Sequence, residues 1–199
     1  MKGLLAFSRA VDRFTGWTGR TVAWLVVAAI LISAGNATVR KLFDTSSNAW
    51  LELQWWLFGA VFLLCASWTL SSNEHFRIDI VSNLLPRSAR NTIEIIGHIL
   101  FLMPICLVIL YTSIPFFWRS WMQNEQSSNA GGLPLYPPKM LVALGFALLL
   151  VQGVSELIKR IAIMRGDLKE TASGGGHHAA AEAEARRLLD DAEPPQVRR

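Results

Sequence analysis

Four long intervals without a charged side chain constrain this chain more than anything else in it. They run from Thr21 to Val39, Leu53 to Asn73, Ile95 to Trp118 and Met140 to Ser155. A helix of about 20 apolar residues crosses the roughly 30 Å hydrocarbon layer of a bilayer. Within that layer no water is available to satisfy backbone N–H and C=O groups, so spanning segments must be helices or closed barrels. The expected fold is therefore all-α and integral to a membrane, with spans over about 17–35, 51–70, 93–118 and 139–158. Composition agrees, since 52% of the 199 residues are apolar and only 17% charged, against about 25% charged in soluble domains. A chain spent on four spans has no room for a large soluble enzyme domain.

The span ends carry their own markers. Trp50, Trp55 and Trp56 lie near the start of the second span and Trp68 near its end, while Trp118 and Trp121 close the third. Tryptophan concentrates at headgroup level, where one part of the ring is wet and the rest is apolar. Pro104 and Pro115 interrupt the third span, and each removes a backbone donor, which predicts a kink. Pro137 and Pro138 suit the start of the fourth.

Basic residues near the span ends predict orientation. Eleven lie on one side: Lys2, Arg9, Arg13, Arg20, Arg77, Arg87, Arg90, Lys159, Arg160, Arg165 and Lys169. Four lie on the other: Arg40, Lys41, Arg119 and Lys139. The positive-inside rule then places both termini and the middle loop in the cytoplasm. The same placement explains the net charge of +4 as topology, so no nucleic-acid partner is expected. A cleaved signal peptide is not expected either, because the charged leader is long and the uncharged interval reaches Val39, far enough to cross.

Between the second and third spans, Phe76, Ile80 and Leu84 recur every fourth residue with Val81 and Leu85 beside them, and Pro86 follows. That stripe predicts a short amphipathic helix over about 74–86, lying on the cytoplasmic interface or folded against the bundle. Residues 1–16 form a cytoplasmic N-terminal segment in this scheme. Residues 166–199 form a tail too poor in apolar surface for a core. Its His177 and His178 lack further ligands at metal-site spacing.

Chemistry-bearing motifs are absent from the sequence: no Gly-rich phosphate loop, no Cys-x-x-Cys, no His-Glu-x-x-His and no nucleophile elbow. Cys65 and Cys106 both fall inside spans, where a small polarisable side chain packs. Axial ligation of haem wants facing histidines in the membrane. Only His98 lies in a span, one turn after Glu94, with His75 at the interface. No catalytic residue, metal or cofactor is expected. Carboxylates near spans are costly and face a bundle interior or a partner; here they are Glu52, Glu94 and Glu156, all near span ends. For Glu156 the local partners are Lys159 and Arg160, three and four residues on, and the distant alternative is Arg77.

The sequence resembles a known family at several points. Arg40-Lys41-Leu42-Phe43, Asn48-Ala49-Trp50-Leu51-Glu52-Leu53-Gln54-Trp55-Trp56-Leu57-Phe58-Gly59 and His75-Phe76-Arg77-Ile78-Asp79 resemble the small membrane subunit, of DctQ type, of tripartite ATP-independent periplasmic (TRAP) transporters. Gly131-Gly132-Leu133-Pro134 through Lys139, then Gly145-Phe146 and Gln152-Gly153-Val154-Ser155-Glu156, are similar to the branch labelled mannitol/chloroaromatic. The resemblance runs from about Thr15 to Gly166, and Phe76 and Ile78 stand where the family often has valines.

The resemblance implies four spanning helices plus an interfacial helix and no substrate site of the chain's own. It also implies two protein partners. One is a large multi-span subunit that carries substrate and sodium, and the other is a periplasmic binding protein that delivers an organic acid. Residues expected at a subunit interface or in a structural cluster, from the resemblance together with the carboxylates and tryptophans at the span ends, are Arg40, Trp50, Glu52, Trp55, Trp56, Trp68, His75, Arg77, Asp79, Gln152 and Glu156. Phospholipid is the remaining expected partner, as the alternative contact of Arg77. Two other function classes fit the residues less well: a membrane anchor or haem-binding redox subunit, and a self-assembling small exporter or channel.

Overall fold

In the computed structural model the described residues are 2–45, 47–72, 92–93 and 95–165. Among them the architecture is four long helices: α1 (Lys2–Phe43), α2 (Asn48–Ser71), α3 (Ile95–Met122) and α4 (Tyr136–Met164). Each is long and apolar enough to cross a membrane, and no strand occurs among the described residues. The expected interfacial helix over 74–86 and the tail over 166–199 lie outside the described residues.

At 1.5 Å per residue, α1 is about 63 Å long, twice the thickness of the hydrocarbon layer. The charged segment before the first span is thus helical and continuous with it. Its buried positions are Ser8, Val11, Thr15, Gly19, Val22 and Ala29, spaced by three, four or seven residues so that one face stays inward. On that face Ser8 and Thr15 meet α4, and Gly19, one turn further, meets Cys65 and Trp68 of α2.

The helices do not form a symmetric bundle. Helix α4 packs on all three others and α1 packs along α2, whereas α3 docks on α4. Close approach relies on glycine, which membrane helices use because van der Waals packing, not hydrophobic exclusion, holds them together. A Cβ at Gly145 of α4 would stand 2.8 Å from the Leu63 Cβ and 3.0 Å from the Leu63 carbonyl oxygen. A Cβ at Gly19 of α1 would run into the Trp68 ring at 2.6 Å.

Helix α3 carries the two prolines in different ways. Just before Pro104 the helix widens into a π turn over His98–Leu102, in which the Met103 N–H donates to the His98 carbonyl five residues back. Pro104 has no N–H for the carbonyl four residues back, and a π turn is where a helix absorbs such a break. Pro115 sits inside the regular part.

Candidate functional site

Two polar clusters, one at each end of the bundle, hold Asp12, Glu156 and Lys159 at one end and Glu52 at the other. The first is built by the N-terminal third of α1 against the C-terminal half of α4. Its centre is Gln152, whose side chain is completely enclosed. The Thr15 hydroxyl donates to Gln152 Oε1 at 2.9 Å. Gln152 Nε2 donates to Asp12 Oδ1 at 2.8 Å and to Glu156 Oε1 at 3.0 Å. One turn further, Lys159 Nζ bridges both carboxylates, 3.1 Å from each Asp12 oxygen and in contact with Glu156. Ser155 donates to Asp12 at 3.3 Å and shares a 2.7 Å hydroxyl contact with Ser8.

Such an array is chemically a clasp. Two carboxylates share one ammonium and one amide, so every charge has an opposite or a donor, as a partly desolvated site requires. Because Gln152, Ser155 and Lys159 of α4 donate to Asp12 of α1 while Thr15 of α1 donates back to Gln152, the array locks the rotation of one helix relative to the other.

The second cluster lies where α2 begins. Glu52 is buried and reaches the loop between α3 and α4. It accepts from the Ser127 hydroxyl, from Asn129 Nδ2 at 2.8 Å and from the Leu133 backbone N–H at 2.6 Å. Asn48 adds a donation to the Ala130 carbonyl at 3.0 Å. The loop itself folds back on a single bridge between Gln126 and Pro134. Left-handed backbone at Asn124 (φ 46°) and Gly131 (φ 69°) permits the reversals. Glycine is required next door as well, since a Cβ at Gly132 would meet the Ser127 side chain at 2.5 Å and Glu52 Oε1 at 2.8 Å.

At the foot of the loop Glu125 pairs with Lys139, whose ammonium stands 4.2 Å from the centre of the Phe116 ring. The hydrogen bond from Lys139 holds the Glu125 carboxyl below its ordinary value.

The residues singled out from sequence are distributed over these features. Gln152 and Glu156 belong to the first cluster and Glu52 to the second. Trp68 is half-buried on Gly19, so its ring is used inside the chain. Trp55 is 70% exposed and Trp56 half-buried. Trp50 lines a cleft of about 480 Å³ with Leu31, Ile32, Gly35 and Val39. Arg40 is exposed in the last turn of α1. His75, Arg77 and Asp79 lie outside the described residues, as does Glu94. Sequence reasoning missed Ser8, Asp12 and Thr15 on α1, together with Ser127 and Asn129 in the loop. The α1 signal was available: Ser8, Asp12 and Thr15 recur at i, i+4 and i+7, and so do Gln152, Glu156 and Lys159, giving two helices one matching polar stripe each.

Among the described residues no three His, Cys, Asp or Glu side chains converge on a point that could hold a metal ion. Both clusters hold helices and a loop in place. No curated protein matches the sequence. Residues 29–162, however, match the family described as tripartite ATP-independent periplasmic transporters, DctQ component. That match takes in the last part of α1 and nearly all of α2 to α4, about two thirds of the chain, and it defines a transporter component, not an enzyme class. The chain is a multi-pass membrane protein that belongs to the DctQ family, the small membrane component of TRAP transporters.

Proposed function

We propose that this chain scaffolds the large membrane subunit of a TRAP transporter during sodium-driven uptake of an organic acid that a periplasmic binding protein delivers. The observation that carries the reading is where the polar groups are. Family membership supplies the transport system. The four spans supply charge-free intervals with ionisable side chains only near their ends. A solitary ion-coupled carrier needs charged or polar ligands near the bilayer midplane. Among the described residues, Asp12, Glu52, Glu156 and Lys159 are each already committed to holding helices or a loop. Exposed aromatic surface on α1 and α2, including Trp17, Trp24, Trp55 and Phe62, gives a fixed partner large contact area.

The orientation that goes with this function places both termini and the segment between α2 and α3 in the cytoplasm. The basic side chains favour it, eleven to four. In that frame the Asp12–Gln152–Lys159 clasp faces the cytoplasm. The Glu52-anchored loop faces the periplasm, the side from which a binding protein arrives. Arg77 remains a candidate partner for Glu156, for Asp79 or for a phospholipid headgroup on the cytoplasmic face. Similarity of the α4 region to the mannitol/chloroaromatic branch favours a monocarboxylate or 2-oxo acid as cargo.

Co-expression with the large subunit tests the scaffold role. The two should co-purify from mild detergent in a fixed ratio. Recovery of this chain only by itself, from cells that make both, would remove the main support.

A further inference from the structure

Most polar groups on the spans satisfy themselves. Thr21 and Thr38 donate to the carbonyls of Trp17 and Ala34, Thr112 donates to Val108, and Gln152 and Ser155 are enclosed in the clasp. Tyr111 on α3 differs. Its side chain is 81% exposed, and a phenol hydroxyl extends too far from its own helix to bond the carbonyl four residues back. Its backbone is deprived as well, because the residue four positions later is Pro115, which has no N–H to donate to the Tyr111 carbonyl. One residue therefore presents an unpartnered O–H and a carbonyl without its helical donor.

Depth makes this costly. Tyr111 lies seven residues, about 10 Å along the axis, before Trp118, one of the tryptophans that mark headgroup level. Long helical side chains lean toward the helix N-terminus, which here aims the hydroxyl deeper into the hydrocarbon and away from that interface. Lipid tails offer no hydrogen bond, so a group left unsatisfied in hydrocarbon is costly.

Resting on the scaffold reading above, we infer that the Tyr111–Pro115 face of α3 is where a transmembrane helix of the large subunit packs, bringing one amide or hydroxyl side chain to the Tyr111 hydroxyl and another, further along the helix, to its carbonyl. Geometry within the chain leaves that face available, since α3 docks on α4 through a side that buries Cys106, Ser113 and Ser120. A second copy of this chain is the poorer occupant. Like helices pair in membranes through small residues that let the backbones approach. On α3 two of those small residues, Cys106 and Ser113, are turned inward, and the outer face offers Val108, Ile114 and Trp118 instead.

A photo-crosslinking amino acid at position 111, in membranes of cells expressing the complete transporter, tests the placement. Tyr111→Phe, which deletes only the hydroxyl, tests the chemistry. Expected are an adduct with the large subunit and, for the Phe variant, complex that dissociates in a detergent series about threefold to tenfold more readily, the range for one interhelical hydrogen bond in a membrane protein. An adduct with a second copy of this chain, a recovered complex without any adduct, or a Phe variant that holds as tightly as the parent would each overturn the inference. Failure of the unsubstituted chain to form a complex at all would instead remove the scaffold reading beneath it.

Discussion

Gln152→Leu is the most informative single change, because it keeps the volume of a side chain that is fully enclosed and deletes three hydrogen bonds. The first, from Thr15 at 2.9 Å, is between neutral groups and contributes about 1 kcal/mol. Thr15 can recover part of that by turning to a carbonyl of its own helix. The second, to Asp12 at 2.8 Å, ends on a carboxylate, and bonds to charged groups contribute about 1.5–3 kcal/mol. Asp12 keeps Lys159 and Ser155, and its side chain is 29% open, so the low end applies. The third, to Glu156, joins residues of one helix whose carboxylate also keeps Lys159, and its loss adds little. The expected destabilisation is about 1.5–2.5 kcal/mol, above the roughly 0.6 kcal/mol of an average interhelical bond in a membrane protein because a carboxylate takes part. Reversible unfolding in mixed detergent micelles measures it. Combining Gln152→Leu with Thr15→Val should give a coupling of about 0.5–1 kcal/mol. A loss under about 0.5 kcal/mol, or strict additivity of the pair, would refute the clasp as an energetic unit.

Other consequences are open to direct measurement. Gly145→Val should separate α2 from α4, since even a Cβ would stand 2.8 Å from Leu63; a cysteine crosslink between the two helices that forms as fast as in the parent would contradict this. Gly132→Ala should detach the loop from Glu52, seen as faster hydrogen exchange over residues 123–135 with the spans unchanged. Because Lys139 holds the Glu125 carboxyl below its ordinary value, its stabilisation of the loop is complete above about pH 4.3 and is lost as pH falls through the lowered folded value. Glu125→Gln should abolish that acid-side loosening, and a variant that loosens at the same pH would show another group responsible. A reporter active only in the periplasm, fused after Gly166, should be silent, and a strong signal with intact spans would falsify the orientation.

The four spans were legible because a bilayer imposes a simple rule, an uninterrupted apolar stretch of sufficient length, and Thr21–Val39 or Ile95–Trp118 obey it without reference to tertiary contacts. The prolines of α3 were legible as breaks. That Pro104 would be absorbed by a π turn over His98–Leu102, and Pro115 carried in regular helix, depends on packing that spacing does not encode. The leader before the first span was harder. Its charges suggested a polar segment apart from the bundle, yet the stripe of Ser8, Asp12 and Thr15 finds the polar stripe of α4, and helix continues through both. Glu156 shows the limit of local reasoning: Lys159, three residues on, does contact it, but the second carboxylate of the cluster is Asp12, 144 positions away in sequence. Only the topology brings those two together. Glu52 was recognisable as a carboxylate at a span end, whereas its ligands Ser127, Asn129 and the Leu133 amide belong to a loop whose shape is set by left-handed backbone at Asn124 and Gly131.

The scaffold role is tested most directly by reconstituted uptake. Large subunit in proteoliposomes, with an inward sodium gradient and the loaded binding protein outside, is compared with and without this chain. The account predicts accumulation of the organic acid only when both membrane subunits are present, and its collapse when the sodium gradient is dissipated. Equal uptake by the large subunit alone, correctly folded and oriented, would contradict it.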